Sequence, residues 1–211
     1  RNLADKNNCS NFALSGGSLL NCSANGKLLE QDFVERLFIQ PASHDAGSAL
    51  GAAILSYGHQ INKIPQIPFP TAYWGSVFTT AAVEEYLSSC EGVIYSTVDA
   101  VKVLASLIKE DKVVGYFDGK AEVGPRALCH RSILANPTKK RNLDRVNKIK
   151  GREEWRPLAP VIKEDKFHEI VNMKTISPFM LIAGEVKEEW RTKIPAVTHV
   201  DNTCRPQSLN Q

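Results

Sequence analysis

Three closely spaced prolines constrain the fold of this chain of 211 residues more than any other feature. Pro65, Pro68 and Pro70 interrupt residues 60–76, which show no helical or strand periodicity. Proline fixes φ and lacks a backbone N–H, so neither a helix nor a central strand can run through this stretch. The sequence therefore predicts a domain boundary, with one domain over residues 1–66 and a second over residues 67–211.

Apolar periodicity on both sides of the prolines predicts a mixture of strands and helices. Strands are predicted at residues 10–17, 33–39, 113–117 and 178–186, and helices at residues 45–57, 80–89, from Asp99 onward, and at 138–150. Asp45 stands where the first helix begins, and a carboxylate there would accept the N–H groups of the first turn. No stretch of eighteen apolar residues occurs, so the sequence predicts no transmembrane helix.

Positive charge is concentrated in one segment of the chain. Residues 112–156 hold twelve basic and five acidic residues, a net charge of +7, whereas residues 71–111 sum to −4 and the two ends of the chain sum to zero. A local basic segment indicates an anionic partner, such as phosphate, a nucleotide, a nucleic acid or a lipid headgroup. The five cysteines show no CxxC or metal-ligand spacing, which fits a reducing cytoplasm rather than a disulfide framework or a zinc site.

Basic residues in apolar or aromatic surroundings are candidates for binding that anion. Arg126 and Arg131 follow a Gly-Pro turn in an otherwise apolar segment, where each guanidinium requires either an anionic ligand or a salt bridge. Lys150, Arg156 and Arg205 lie further along the chain, Arg156 beside Trp155 on which it could stack, and His199 lies near Arg205. Arg152, a further cation near Trp155, could simply pair with Glu153 or Glu154 in solvent. Together the cations predict a site for a triphosphate or an acyl phosphate, although no Walker sequence is present.

The first domain offers fewer candidates. Gly16 and Gly17 follow the first predicted strand, and without a Cβ they form either a tight turn or the wall of a nucleotide pocket with Asn21. Asp45 is either the helix cap described above or a metal ligand. The residues alone favour the turn and the cap.

Several segments, taken in order, resemble the nodulation-type O-carbamoyltransferase family. They are Ser15-Gly16-Gly17 with Asn21-Cys22 and Asn25-Gly26-Lys27, Gln40-Pro41-Ala42 with Asp45-Ala46-Gly47, Gly124-Pro125-Arg126-Ala127-Leu128 with Arg131-Ser132-Ile133-Leu134, Arg156-Pro157, Pro178-Phe179-Met180, and Ile194-Pro195-Ala196-Val197-Thr198-His199-Val200-Asp201. The resemblance implies an α/β and α+β chain: the C-terminal portion of an actin-like ATPase domain at residues 1–66, then an incomplete YrdC-like domain at residues 67–211.

The family's activity is implied in the same way. The YrdC-like domain converts carbamoyl phosphate and ATP, with Mg²⁺, to carbamoyl adenylate and pyrophosphate, and the actin-like domain transfers the carbamoyl group to a hydroxyl of a small-molecule acceptor with the help of iron or another divalent metal. By matching sequence, Asp45 corresponds to a metal ligand, and Gly16, Gly17 and Asn21 correspond to the nucleotide-contacting loop. Arg126 and Arg131 would be catalytic, whereas Lys150, Arg156, His199 and Arg205 would bind the substrate and ATP. The resemblance is compatible with a homodimer. It implies neither a nucleic acid nor a membrane as a partner.

The chain also departs from the family. Cys129 replaces a usual glycine, and Pro206 stands in a segment where the family has Gly-Thr-Ala-Arg-Val-Gln. The family's paired metal histidines and its Asn-Thr-Ser-Phe-Asn sequence are not in these 211 residues, so we expect this part alone to lack the complete reaction.

Three alternatives stay open. A carbamoyltransferase maturation factor of hydrogenases would use the same chemistry, but the chain shows no trace of its zinc-finger cysteine pairs. A nucleic-acid-binding module could use the six cations of residues 139–150, although that stretch lacks aromatic residues for stacking. A degenerate, purely structural chain is the third.

Overall fold

The computed structural model describes residues 1–69 and 71–210, and it shows short helices and several small sheets. The helices are α1 (Asn2–Asn7), α2 (Cys22–Leu29), α3 (Gly47–Gln60), α4 (Thr80–Ser89), α5 (Ala100–Lys109), α6 (Arg141–Ile149), α7 (Phe167–Ile170) and α8 (Glu188–Arg191), with 3₁₀ turns at Gly17–Leu20 and Glu164–Lys166. No helix of the described residues is long and apolar enough to cross a membrane.

The strands pair in four small sheets. They are β1 (Asn11–Leu14), β2 (Arg36–Ile39), β3 (Val114–Phe117), β4 (Arg131–Leu134), β5 (Val161–Lys163), β6 (Val171–Asn172), β7 (Gly184–Val186), β8 (Thr203–Cys204) and β9 (Gln207–Leu209). β1 and β2 are parallel, as are β5 and β9, whereas β3 and β4 form an antiparallel pair and β6, β7 and β8 form an antiparallel sheet in that order. This mixture of helices and strands confirms the α/β character predicted from the sequence.

Two of the predicted element boundaries are wrong. Asp45 does not cap α3 with its side chain, since the cap position is Ala46 and makes no side-chain hydrogen bond. The predicted strand at residues 178–186 is reduced to β7, because Met180 has a positive φ of 53° and leaves the extended conformation. Asp99, in contrast, caps α5 as the sequence predicts, with its Oδ1 accepting the N–H of Lys102.

Hydrophobic clusters join residues from both sides of the prolines. Ile39 packs in one cluster with Leu128 and Phe179, and Leu29 packs in another with Ile182. The backbones also approach closely: a Cβ added to Gly124 would collide with the carbonyl of Pro41. The predicted domain boundary therefore separates segments that pack against each other, and its position stays a prediction.

Candidate anion-binding site

A buried carboxylate organises the loop between β3 and β4. The side chain of Glu122 has no exposed surface. Its Oε1 accepts the backbone N–H groups of Leu128, His130 and Arg131 at 2.8–2.9 Å. Burial alone would raise the pKa of Glu122, but the hydrogen bonds from Arg131 and from the backbone outweigh it and lower the pKa to about 2. Glu122 is therefore ionised at neutral pH and fixes the course of residues 128–131.

Arg131 is the partner of this carboxylate. Its Nε lies 2.8 Å from Oε2 of Glu122, and its Nη2 donates to the carbonyl oxygen of the same residue. The side chain is 46% exposed. The salt bridge is the alternative that the sequence left open for this arginine. Its predicted catalytic role stays a prediction.

Arg126, five residues earlier, has no carboxylate partner among the described residues. Its Nη2 donates to the carbonyl oxygen of Leu20 at 3.0 Å, which attaches the loop to the segment before α2. Its Nε is buried without a hydrogen-bond partner among those residues. Burial lowers the pKa of Arg126, and the positive charge of Arg205 lowers it further. The guanidinium is therefore desolvated beside a like charge.

The loop that follows α6 supplies three more cations. Burial lowers the pKa of Lys150, as do the charges of Arg152 and Arg205. Burial also lowers the pKa of Arg152, followed by the charges of Arg156 and Arg205. Arg156 forms an ion pair with Glu153 at 2.6 Å, and its guanidinium lies 5.6 Å from the centre of the Trp155 ring, which confirms the predicted stacking.

Arg205 is the residue that these side chains share. It lies between β8 and β9, and its Nε is buried without a hydrogen-bond partner among the described residues. His199, which precedes β8, donates its backbone N–H to the carbonyl oxygen of Thr203, and its Nδ1 lies 3.2 Å from the Thr203 hydroxyl. Burial lowers the pKa of His199, and the charge of Arg205 acts in the same direction, so the imidazole is neutral at neutral pH.

Five cations thus form one electrostatic unit, which we name the cationic cluster: Arg126, Lys150, Arg152, Arg156 and Arg205. Only Arg156 forms an ion pair with a carboxylate within the described part of the chain. The Nε atoms of Arg126 and Arg205 and the Nε2 of His199 are buried and lack partners there. Lys150 and Arg156 are exposed, whereas Arg126, Arg152 and Arg205 are partly buried. Partly buried like charges are unfavourable unless an anion joins them. The arrangement suits a ligand with several phosphate or carboxylate oxygens.

Arg152 is the member of this cluster that the sequence analysis assigned to solvent. The structure corrects that prediction: its Nε donates to the side chain of Asn147 at 2.6 Å. Within residues 150–156, three basic residues face two acidic ones, and that excess was the available signal. It could not show which cation the acids would pair with.

The candidates in the first 66 residues lie in exposed turns. Gly16 has a φ of 120° and donates its N–H to Ser43, so the tight turn is observed, and Gly17 begins the 3₁₀ turn after it. The Oδ1 of Asn21 accepts the N–H of Ala24 as the cap of α2. Asp45 is exposed before α3. Their roles toward a nucleotide or a metal stay predictions.

Two departures from the family's usual residues lie beside the cationic cluster. Cys129 has a φ of 73°, a region that favours glycine, and its thiol lies 3.4 Å from Oε1 of Gln207. Burial and the charge of Glu122 raise the pKa of Cys129 to about 11, so it is a thiol rather than a nucleophilic thiolate at neutral pH. Pro206 is fully buried next to Arg205.

The basic helix α6 is partly neutralised. Asp111 forms ion pairs with Arg141 and with Arg145, the latter at 3.5 Å, and it also accepts a hydrogen bond from Asn142. Two of the six cations available to the nucleic-acid alternative therefore contact a carboxylate already.

The comparisons with known proteins identify the family of this chain. A family model described as the carbamoyltransferase C-terminus matches residues 105–211, and one described as the carbamoyltransferase N-terminus matches residues 1–54. The chain belongs to the carbamoyltransferase family. All five members of the cationic cluster lie within the C-terminal match: Arg126 between β3 and β4, Lys150, Arg152 and Arg156 after α6, and Arg205 between β8 and β9.

Relatives of this carbamoyltransferase chain include nodulation proteins of root-nodule bacteria. It is 40% identical to nodulation protein NolNO of Sinorhizobium fredii over 95% of this chain and 30% of that protein. It is 38% identical to nodulation protein NolO of Bradyrhizobium diazoefficiens, over 95% and 38%. It is 34% identical to nodulation protein U of Rhizobium tropici, over 95% and 33%. The chain thus spans 30–38% of the length of these relatives.

Proposed function

We propose that this carbamoyltransferase chain takes part in ATP-dependent O-carbamoyl transfer and that the cationic cluster binds the phosphates of ATP and carbamoyl phosphate. The observation that carries the proposal is that the Nε atoms of Arg126 and Arg205 are buried without hydrogen-bond partners among the described residues. The charge of Arg205 also lowers the pKa of Arg126, Lys150, Arg152 and His199. A cluster of this kind stabilises negative charge that grows during phosphoryl or adenylyl transfer.

The proposed activation step forms carbamoyl adenylate. Carbamoyl phosphate and water give phosphate and carbamate, and an oxygen of the carbamate then displaces pyrophosphate from the α-phosphorus of ATP. Arg205 and Arg126 would hold the transferred group, and Lys150, Arg152 and Arg156 would hold the departing pyrophosphate. The Nε and Nη2 of Arg131 bind Glu122, so only its Nη1 would be available to contact an anion.

His199 would act as a neutral hydrogen-bonding group. Its Nε2 is buried without a well-formed hydrogen bond among the described residues, although the backbone of Leu158 interacts with the ring, and burial lowers its pKa so that it is uncharged beside Arg205. A neutral imidazole can donate to a phosphate oxygen through one nitrogen, whereas the Thr203 hydroxyl holds the other.

We propose a fold for each of the two domains, in accordance with the two family matches. Residues 1–66 would be the last part of an actin-like domain and residues 67–211 a YrdC-like domain. The two family models match residues 1–54 and 105–211, and the prolines lie between those matches. We further propose a small-molecule hydroxyl acceptor and cytoplasmic localisation, and a homodimer stays open.

The proposed metal site needs ligands beyond the described residues. No group of three or more His, Cys, Asp or Glu side chains among residues 1–69 and 71–210 could hold a metal ion, so these residues alone do not fit iron. Asp45 as a single carboxylate ligand of iron or another divalent metal stays a prediction, and so does Mg²⁺ with ATP.

The test is ATP–pyrophosphate exchange in the full polypeptide, with and without carbamoyl phosphate. We expect exchange to require carbamoyl phosphate and to fall about 100-fold in Arg205→Met, since losing one charge contact in a transition state has an effect of that order. Arg141→Met is the matched control, because Arg141 pairs with Asp111, and it should change exchange less than about twofold. Equal exchange in wild type and Arg205→Met would refute the proposal.

A further inference from the structure

A second buried residue organises the cationic cluster without carrying charge. Asn147 lies in α6, and none of its surface is exposed. Its Nδ2 donates to the carbonyl oxygens of Glu154 and Arg156, both at 2.8 Å. Its Oδ1 accepts the Nε–H of Arg152 at 2.6 Å. Both donor hydrogens and the oxygen of this amide are thus directed at the loop that carries three members of the cluster.

The backbone of Asn147 strengthens the same connection. Its carbonyl oxygen accepts the backbone N–H of Arg152 at 3.1 Å. Arg152 is therefore held at two points by one residue. The loop it belongs to turns at Gly151, which has a φ of 58°. The direction of the Arg152 guanidinium is consequently fixed from α6 and not by the solvent.

A neutral amide orients a guanidinium without cancelling its charge. A carboxylate in the same place would form an ion pair with Arg152 and reduce its attraction for a phosphate. The contrast is visible within the chain, because Glu122 holds Arg131 in that way. An amide is therefore the group expected where an arginine must be positioned and remain available to an anion.

We propose that Asn147 is a positioning residue of the phosphate site, which holds Arg152 and the backbone at Arg156 so that both cations contact one polyphosphate ligand together with Arg205. The inference rests on the proposed function. It adds that the site depends on the oriented guanidinium of Arg152 and on the fixed backbone at Arg156, so a ligand with linked phosphates should bind more tightly than a single phosphate.

Asn142 provides a matched control on the same helix. It is also fully buried, its Nδ2 donates to Asp111 and to the carbonyl of Asn136, and its Oδ1 accepts from Arg145. Arg145 contacts the carboxylate of Asp111, so this amide serves a neutralised arginine. Loss of either amide removes a similar set of hydrogen bonds, but only Asn147 forms hydrogen bonds with members of the cationic cluster.

The experiment measures binding of inorganic pyrophosphate and of inorganic phosphate to the full chain by titration calorimetry. Wild type should bind pyrophosphate at least about tenfold more tightly than phosphate. Asn147→Asp keeps the oxygen acceptor but adds a charge that pairs with Arg152, so pyrophosphate affinity should fall at least about tenfold and depend less on salt. Asn142→Asp should change the affinity less than about twofold.

The outcomes separate this inference from the proposed function. If wild type binds no pyrophosphate, the phosphate site itself is wrong. If wild type binds it and folded Asn147→Asp binds within twofold of wild type, only the positioning role is overturned. Circular dichroism checks folding of each variant.

A second variant covers the case in which Asn147→Asp does not fold. Arg152→Met leaves Asn147 in place and removes the guanidinium that it orients. Pyrophosphate affinity should then fall at least about tenfold while the melting temperature changes little. An affinity within twofold of wild type in this variant would contradict the inference as well.

Discussion

Arg131 and Arg126 lie five residues apart in one loop and have opposite surroundings. Arg131 binds a fully buried carboxylate through its side chain and its backbone N–H. Arg126 donates to a single carbonyl oxygen and faces the charge of Arg205. An arginine with its own carboxylate mainly holds a loop together, whereas one without such a partner is available to a ligand. Glu122 on one side and Asn147 on the other show the two ways in which this chain fixes an arginine.

Removing the carboxylate should have the largest effect on this contrast. Glu122→Ala leaves three backbone N–H groups without an acceptor and Arg131 without its partner. We expect a loss of about 3–5 kcal/mol in the free energy of unfolding, measured with urea. Glu122→Gln keeps the Oε1 acceptor and should lose less.

An exposed ion pair is the control for that comparison. Glu169 pairs with Lys166 at 2.7 Å, and both side chains are more than half exposed. Glu169→Ala should change the free energy of unfolding by less than about 1 kcal/mol. A loss in Glu122→Ala no greater than that in Glu169→Ala would show that Glu122 does not organise the loop.

Protonation of Glu122 at low pH should reversibly remove the stabilisation that its carboxylate provides. The pKa of Glu122 is lowered in the folded chain from 4.5 to about 2, so its contribution is fully present above pH 4.5 and disappears as the pH falls toward 2. The shift corresponds to about 3 kcal/mol at most. The measurement is the difference in unfolding free energy between wild type and Glu122→Gln, taken from pH 6 to pH 2. A difference that stays constant over this range would contradict the assignment.

The sequence predicted the cations of the site better than their partners. Arg126, Lys150, Arg156 and Arg205 were singled out from their apolar or aromatic neighbours. In the structure the charge of Arg205 acts on Arg126 and Lys150, and both Arg205 and Arg156 act on Arg152. Glu122 and Asn147 could not be singled out in the same way, because a single buried carboxylate or amide produces no periodic pattern in the sequence. Only the folded backbone shows that three N–H groups converge on Glu122.

The secondary-structure elements show the same difference between what local sequence determines and what long-range contacts determine. Helix α5 and its cap at Asp99 could be predicted because cap and apolar face are adjacent in sequence. The predicted strand at residues 178–186 was mostly wrong because long-range contacts decide its course. There the carbonyl of Leu181 accepts from Asn25, and the N–H of Ala183 donates to Cys22. Apolar composition shows that such a segment is buried but not which backbone groups it binds.

The smallest expected effect concerns Cys129, which lies between the two arginines. Its neighbours Leu128 and His130 both donate to Glu122, and this convergence imposes the positive φ of 73°. A Cβ is unfavourable in that conformation, whereas glycine adopts it readily. Cys129→Gly should therefore be more stable than Cys129→Ala by about 1 kcal/mol, a comparison that leaves out the contact of the sulfur with Gln207. Thermal unfolding of the two variants measures the difference. If alanine proves the more stable residue, the loop is not held in this turn by Glu122, and the contrast between Arg131 and Arg126 loses its structural basis.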